Sequence, residues 1–263
     1  MQISPRLVAV CLVPPLLSCG VSSERRPSEP SSSAPKPSVR PDGPVELRLT
    51  FDRPPTEGIE RAFDAGDGWP EAVVVESPPG TLQSVAGETG PSRAVLFPPN
   101  CIRAGACPRA LVEMADDDRL DPGSGDFEYG AHVLVSADQT SAGSNIVQKG
   151  RFETPGGQWK LQVDGKEGRP SCVLQGIDGG EREAVGLVAD VSIADDAWHR
   201  VRCLIQGDEL TITVDETAKT VEAEVGTVDN SAELRIGASG SQRTDDQFHG
   251  TIDEVTFCVP SCE

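Results

Sequence analysis

The stretch QFHGTIDEVTF, residues 247–257, contains two strand registers that do not agree. Phe248, Gly250 and Ile252 alternate as the inward residues of a half-buried strand should. The phase then slips by one residue, and Val255 and Phe257 continue on the other parity with Asp253 on their side. A slip of one residue within a strand reads as a β-bulge, which re-aims a side chain without ending the pairing. It also puts a carboxylate among core-facing residues, where an unpaired charge is costly. Asp253 is therefore either part of the wiring of the fold or an acid that holds a ligand.

Twelve further apolar runs precede this one, with turn signals between them: 45–51, 72–75, 93–97, 109–114, 127–136, 145–150, 158–164, 171–176, 198–206, 210–215, 220–225 and 233–237. No window of eleven or more residues repeats its apolar positions at helical spacing. Short strands at such intervals define an all-β chain folded as one sandwich or barrel. The composition agrees, because 27 Gly and 22 Pro supply turns and a hydrophobic share of 37% exceeds the disordered range. A net charge of −19 argues against nucleic acid and against docking on anionic lipid through a basic patch.

Several of these runs follow one another as motifs do in a known family. WHRVRC…GDELTITVDE (198–216), ELRIGAS (233–239) and FHGTIDEV (248–255) resemble, in order, strands of the laminin-G-like (LamG) concanavalin A-like jelly-roll family. Upstream, CPRALVEMADDDRLDPGSGDFEYGAHV (107–133) and NIVQKG…GQWKLQVDG (145–165) are similar to its preceding segments. The resemblance spans about residues 45–257 and is to the secreted bacterial branch with Cys in two central strands. It implies a concanavalin A-like jelly-roll β-sandwich over residues 45–263. The family's Asp-Gly hairpin reads Asp215-Glu216 here, so a looser turn is expected. First and last strands of a jelly roll lie close together, which would bring Asp253 near Asp52. On the structural reading Asp253 accepts backbone N–H groups and ties the two ends. On the alternative, Asp52 and Asp253 are ligands of a structural calcium, the one cofactor considered. No D-x-D-x-D-G loop occurs, and Asp116-Asp117-Asp118 reads as a solvated turn.

The first 19 residues, MQISPRLVAVCLVPPLLSC, read as an export signal, with Arg6 ahead of the apolar run Leu7–Leu17. Leu16-Leu17-Ser18-Cys19 resembles the bacterial lipobox, in which the Cys is acylated; an ordinary cleaved signal is the alternative. Removing 1–19 deletes only Arg6 among the charged residues, so −19 becomes −20. Residues 20–44 are more than half Ser and Pro and read as a disordered, extended tether. The expectation is an exported protein, lipid-anchored at the outer face of the cell membrane and touching the membrane through that lipid alone. Eight Cys less Cys11 and Cys19 leave six, an even number that reads as disulfides with 15 connectivities. Spacing favours Cys101–Cys107, Cys172–Cys203 and Cys258–Cys262, with the Cys172–Cys203 bond expected between neighbouring strands of one sheet. Zinc fails, since no CxxC pair occurs and no His stands at ligand spacing.

The glucanases of this superfamily place their two carboxyl groups on one strand as E-x-D-x-x-E, a pattern absent here. No G-x-S-x-G elbow occurs, and His199, beside Trp198, reads as a packing residue. No catalytic residue is assigned. A non-catalytic surface module that binds a glycan or envelope component is the preferred reading. A protein-interaction or structural envelope module, or a glycan-cleaving enzyme, are the alternatives. Among the aromatics Trp69, in DAGDGWPE, is the one placed as an exposed sugar platform would be, with a core or loop-pinning role the competing reading.

Overall fold

The computed structural model describes residues 43–262 apart from 59, 67, 102–106, 142 and 243–245. Residues 1–42, which take in the expected signal segment, Cys19 and nearly all of the expected tether, lie outside the described residues. Two antiparallel sheets face each other as a sandwich. The first runs β14 (Thr217–Glu222), β13 (Glu209–Val214), β12 (Trp198–Gln206), β7 (Phe127–Leu134), β16 (Thr251–Val259), β5 (Arg93–Leu96), β4 (Gln83–Ala86), with β1 (Val45–Leu49) also on β16. The second runs β11 (Glu181–Val188), β10 (Arg169–Asp178), β9 (Gln158–Asp164), β8 (Ser144–Lys149), β15 (Leu234–Ile236), β6 (Arg109–Met114), β3 (Ala72–Ser77), β2 (Ala62–Phe63).

The expected bulge is present, and the pairing explains it. One edge of β16 serves two partners: Thr251 and Ile252 pair with β5, whereas Val255 to Val259 pair with β1. On the other edge the register with β7 shifts between Asp253 and Thr256. The bulge thus sits where the chain changes partners, and Glu254 takes a left-handed φ of 47° to make it. The face expected for Asp253 is corrected. It is the register partner of His132, whereas Ile252 pairs with inward-facing Val133 and Phe257 with inward-facing Tyr129. Paired residues share a face, so Asp253 lies on the outer side of the sheet. The extra residue at the bulge is what returns Val255 to the core.

Between the sheets, Trp159 of β9 stacks on Phe257 of β16 at 5.1 Å between ring centroids and meets Tyr129 of β7 at 4.9 Å. All three are buried, and the Trp159 Nε1–H donates to the carbonyl of Leu120 at 3.2 Å, so the large ring carries no unmet donor. The hairpin at Asp215-Glu216 is a tight two-residue turn and not a looser one, because Val214 pairs directly with Thr217. Asp215 takes the left-handed φ of 53° that glycine would otherwise supply.

All three disulfides are formed: Cys101–Cys107, Cys172–Cys203 and Cys258–Cys262. The setting of the second differs from expectation. Cys172 is on β10 and Cys203 on β12, so the bond joins the two sheets across the core. Their Cα atoms are 5.9 Å apart, well inside the usual separation of about 10 Å between packed sheets, so the sandwich is pinched shut there. Lys219 of β14 closes the same edge, donating to the carbonyl of Val188 and to Asp190.

Candidate functional site

The outer face of the second sheet is polar and largely shielded. Register places Gln148, Lys160 and Val173 in one row across β8, β9 and β10, and Asn145, Gln162 and Ser171 in another. Their neighbours Val147, Leu161, Cys172 and Leu174 point the other way, into the core. Asn145, Gln148, Ser171 and Gln175 are nonetheless buried, because two loops wall the face. One is the β8–β9 connection, residues 150–157. Arg182 of β11 reaches over to it and donates to the carbonyls of Phe152 and Glu153, and the Thr154 Oγ1 accepts from the Arg151 N–H at 2.8 Å. Gly157 lies so close that a Cβ there would fall 2.1 Å from the Gln175 carbonyl oxygen. The other wall is the segment after β15, where Ser239 accepts from Arg151 and Asp246 stands 3.8 Å from the Lys160 Nζ.

Within this face the hydrogen bonds are incomplete. Asn145 donates to Gln148, which donates to the Gly150 carbonyl, and Gln162 and Ser171 both donate to Asp164. The Asn145 Oδ1 and Gln175 Oε1 atoms are buried and accept nothing. A buried acceptor without a donor costs about 1–3 kcal/mol, so the two oxygens are places where an ordered water completes the network. Burial holds the ammonium of Lys160 below its ordinary range, against the pull of Asp246 and Asp164. At the end of the face the Phe152 ring stands 65% exposed on its pinned loop. Sequence reading missed Phe152; its only local signal is an aromatic inside the turn-rich GRFETPGG.

Other surfaces are less suited. A cleft of about 550 Å³ at one end of the sandwich has Asp178, Glu183, Asp208 and Glu224 on its rim and bare glycine backbone between them. It offers no basic side chain and no exposed ring. On the outer face of the first sheet the charges are paired, Arg48 with Glu254 at 2.6 Å, Arg202 with Glu128 at 3.4 Å, and Arg200 donating to His132, whose Nδ1 faces Glu88, while the Arg202 Nε–H is buried without a partner.

The residues singled out from sequence fall elsewhere. Trp69 is not a free platform: Arg119 stacks on its ring at 3.8 Å, and its Nε1–H donates to the Glu46 carbonyl at 3.2 Å. Arg119 is itself clamped by Asp117, and Asp116 pairs with Lys149, so the acidic run is engaged and not simply solvated. His199 lies between Asp195 at 2.9 Å and Asp215 at 2.7 Å. Burial opposes its positive charge, but the two carboxylates outweigh that and raise its pKa.

Asp253 accepts from the Glu254 N–H alone, so its carboxylate does not tie the first strand to the last; the β1–β16 ladder does that. Asp52 accepts from the Arg93 N–H at 2.9 Å. Among the described residues no three His, Cys, Asp or Glu groups are placed together to hold a metal ion. The turn carrying Gly87 covers Asp253 so closely that a Cβ at Gly87 would meet its Oδ2 at 2.9 Å. Burial pushes the Asp253 carboxyl up to about 7; the Glu254 N–H opposes this, and the charges of Glu254, Asp52 and Glu88 add to it. The folded protein then holds a proton that the unfolded chain releases near pH 4, so stability falls as pH rises from about 4 to about 7. Asp253→Asn should remove that fall and be the more stable protein above pH 7, on the order of 2 kcal/mol. Thermal melts of the two proteins at pH 4, 6 and 8 check this; parallel pH profiles would refute it.

A closed pair of antiparallel sheets with terminal strands paired and a polar outer face defines a jelly-roll sandwich of the lectin and glucanase type. The family model Laminin_G_3, of the concanavalin A-like lectin/glucanases superfamily, matches residues 115–258, and the chain belongs to that family. Among solved structures it is similar to domain 4 of AbnA, an extracellular arabinanase of Geobacillus stearothermophilus, solved in complex with arabinotriose. The TM-score there is 0.56 at 12% identity, over 81% of this chain and 90% of that one. It is also similar to botulinum neurotoxin type C, whose cell entry depends on two ganglioside molecules. There the TM-score is 0.53 at 13% identity over 84% of this chain, which spans about half (49%) of the toxin chain. Identities this low establish the fold alone. No curated protein matches the chain by sequence. Disulfides such as these persist in oxidising, extracellular compartments. No helix among the described residues is long and apolar enough to cross a membrane.

Proposed function

We propose that this protein is a non-catalytic, exported glycan-binding module, and that its ligand lies along the outer face of β8, β9 and β10 against Phe152. One observation carries the reading: an exposed aromatic ring on a pinned loop at the end of a polar sheet face. Sugars present both complements, an apolar C–H face for a ring and hydroxyls for the polar groups around it. Because the loop is already fixed by Arg182, little ordering is left to oppose binding. The acids Asp246 and Glu113 around the face are matched by Lys160 and Arg235, a balance that suits a neutral glycan better than a charged one. The arabinotriose and gangliosides of the two similar proteins are consistent with a sugar ligand on this fold.

A glycan array probed with the purified protein and with Phe152→Ala tests the proposal. The native protein should retain a defined set of neutral glycans. The variant should lose roughly tenfold in affinity, about 1.4 kcal/mol, at an unchanged melting temperature. Equal binding by both would refute the role of Phe152, and no binding by either would refute the function.

We further propose that the module is tethered by lipid on Cys19, with residues 20–44 as the spacer. Cys19→Ala should shift it from the membrane fraction to the medium or stall its processing. Unchanged membrane association would contradict the anchor.

A further inference from the structure

We infer that Lys149 and Asp121 join in an intramolecular amide cross-link, with Asp116 as the group that moves the proton. The Lys149 ammonium position is fully buried at the end of β8, between its register partners Trp159 and Leu234, both buried as well. Its Nζ lies 2.8 Å from the Asp121 Oδ1 and 2.8 Å from the Asp116 Oδ1, and it also touches the carbonyl of Asn230. The Asn230 N–H donates to the same Asp121 Oδ1 at 3.1 Å and holds the carboxyl in place. The amine and one carboxyl are thus held in contact, their side chains 0% and 4% exposed, and such positioning replaces a large part of the barrier of a bimolecular condensation.

The surroundings favour the reactive forms. The reaction needs the amine and the acid forms, and transfer of the shared proton from Nζ to the Asp121 oxygen 2.8 Å away produces both at once. Burial pushes the Asp121 carboxyl up to about 6, although Lys149 and the Asn230 N–H pull the other way. Asp116 differs, with its side chain 31% exposed, so it joins the buried Nζ to solvent and can relay a proton. The neutral Nζ lone pair attacks the Asp121 Cγ and forms the C–N bond. A proton passes from Nζ to the Asp116 carboxylate and from there to the departing hydroxyl. The C–O bond breaks, and water leaves on the exposed side. One amine and one carboxylic acid yield one amide and one water, with no oxidant or co-reactant.

Peptide mapping of the purified full chain decides the matter without any variant. Trypsin cuts after Arg119, Lys149 and Arg151 when their side chains are free. In the linked protein the peptide beginning at Leu120 should run through to Arg151, weigh one water less than its sequence, and give no backbone fragments between Asp121 and Lys149. Cleavage after Lys149 at full mass would overturn the proposal and leave an ordinary buried ion pair. A peptide lighter by one water whose Lys149 still accepts an acyl label would overturn it too, because that marks a cyclised aspartate. Asp116→Asn should reduce the linked fraction at least tenfold, and an undiminished link in that variant would remove Asp116 from the mechanism.

Discussion

Lys149→Ala should lower the stability of the fold by about 3–5 kcal/mol, the usual result of leaving buried charges without their partner. The variant loses the nitrogen that Asp121, Asp116 and the Asn230 carbonyl share, and the inferred link with it, which leaves a free Asp121 carboxyl that is only 4% exposed. The loss should be largest near pH 8. It should shrink as the pH falls towards about 6, because Asp121, released from the pull of Lys149, takes up a proton above that value and is no longer a bare buried anion. Denaturant titrations at pH 5 and 8 check both the size and the sign. A loss below about 1 kcal/mol at pH 8 would mean that water reaches the cluster.

Replacing Cys172 and Cys203 together by Ala should cost about 3–4 kcal/mol, the chain-entropy value for a closed segment of 31 residues. The same model gives about 2 kcal/mol for Cys258–Cys262, whose separation is 4. The inter-sheet bond should therefore dominate, and its loss should also release the pinched edge between β10 and β12. Hydrogen exchange in β11 and β14, which flank that edge, should quicken before the rest of the sandwich is affected. Equal costs for the two bonds would show that native-state strain outweighs loop closure.

How far the structure could be read beforehand follows from where each signal originates. Alternation marked the strands that bury one face, including β12 and β9 to their ends. It did not mark β11, whose EREAVGLV is exposed along most of its length as an edge strand. The slip at 253–255 announced a bulge, but parity counted across a bulge assigns the wrong face to the residue just before it, and Asp253 is that residue. Cysteine spacing indicated the partners of the 172–203 bond. It could not say that they belong to different sheets, because strand order is set by crossovers that leave no local trace. Phe152 and Lys149 were illegible for a common reason. The loop of Phe152 is pinned by Arg182, 30 residues on, and Lys149 is buried against Asp121 and Asn230, 28 and 81 residues away.

The most direct test of the glycan-binding face is a map of backbone amide chemical shifts during titration with a neutral oligosaccharide retained on the array. The face predicts saturable shifts confined to residues 150–157 and to the outward positions of β8, β9 and β10, Asn145 and Gln175 among them. Shifts centred on the acidic end cleft around Gly125, Gly207 and Gly226, or on the outer face of the first sheet, would contradict it.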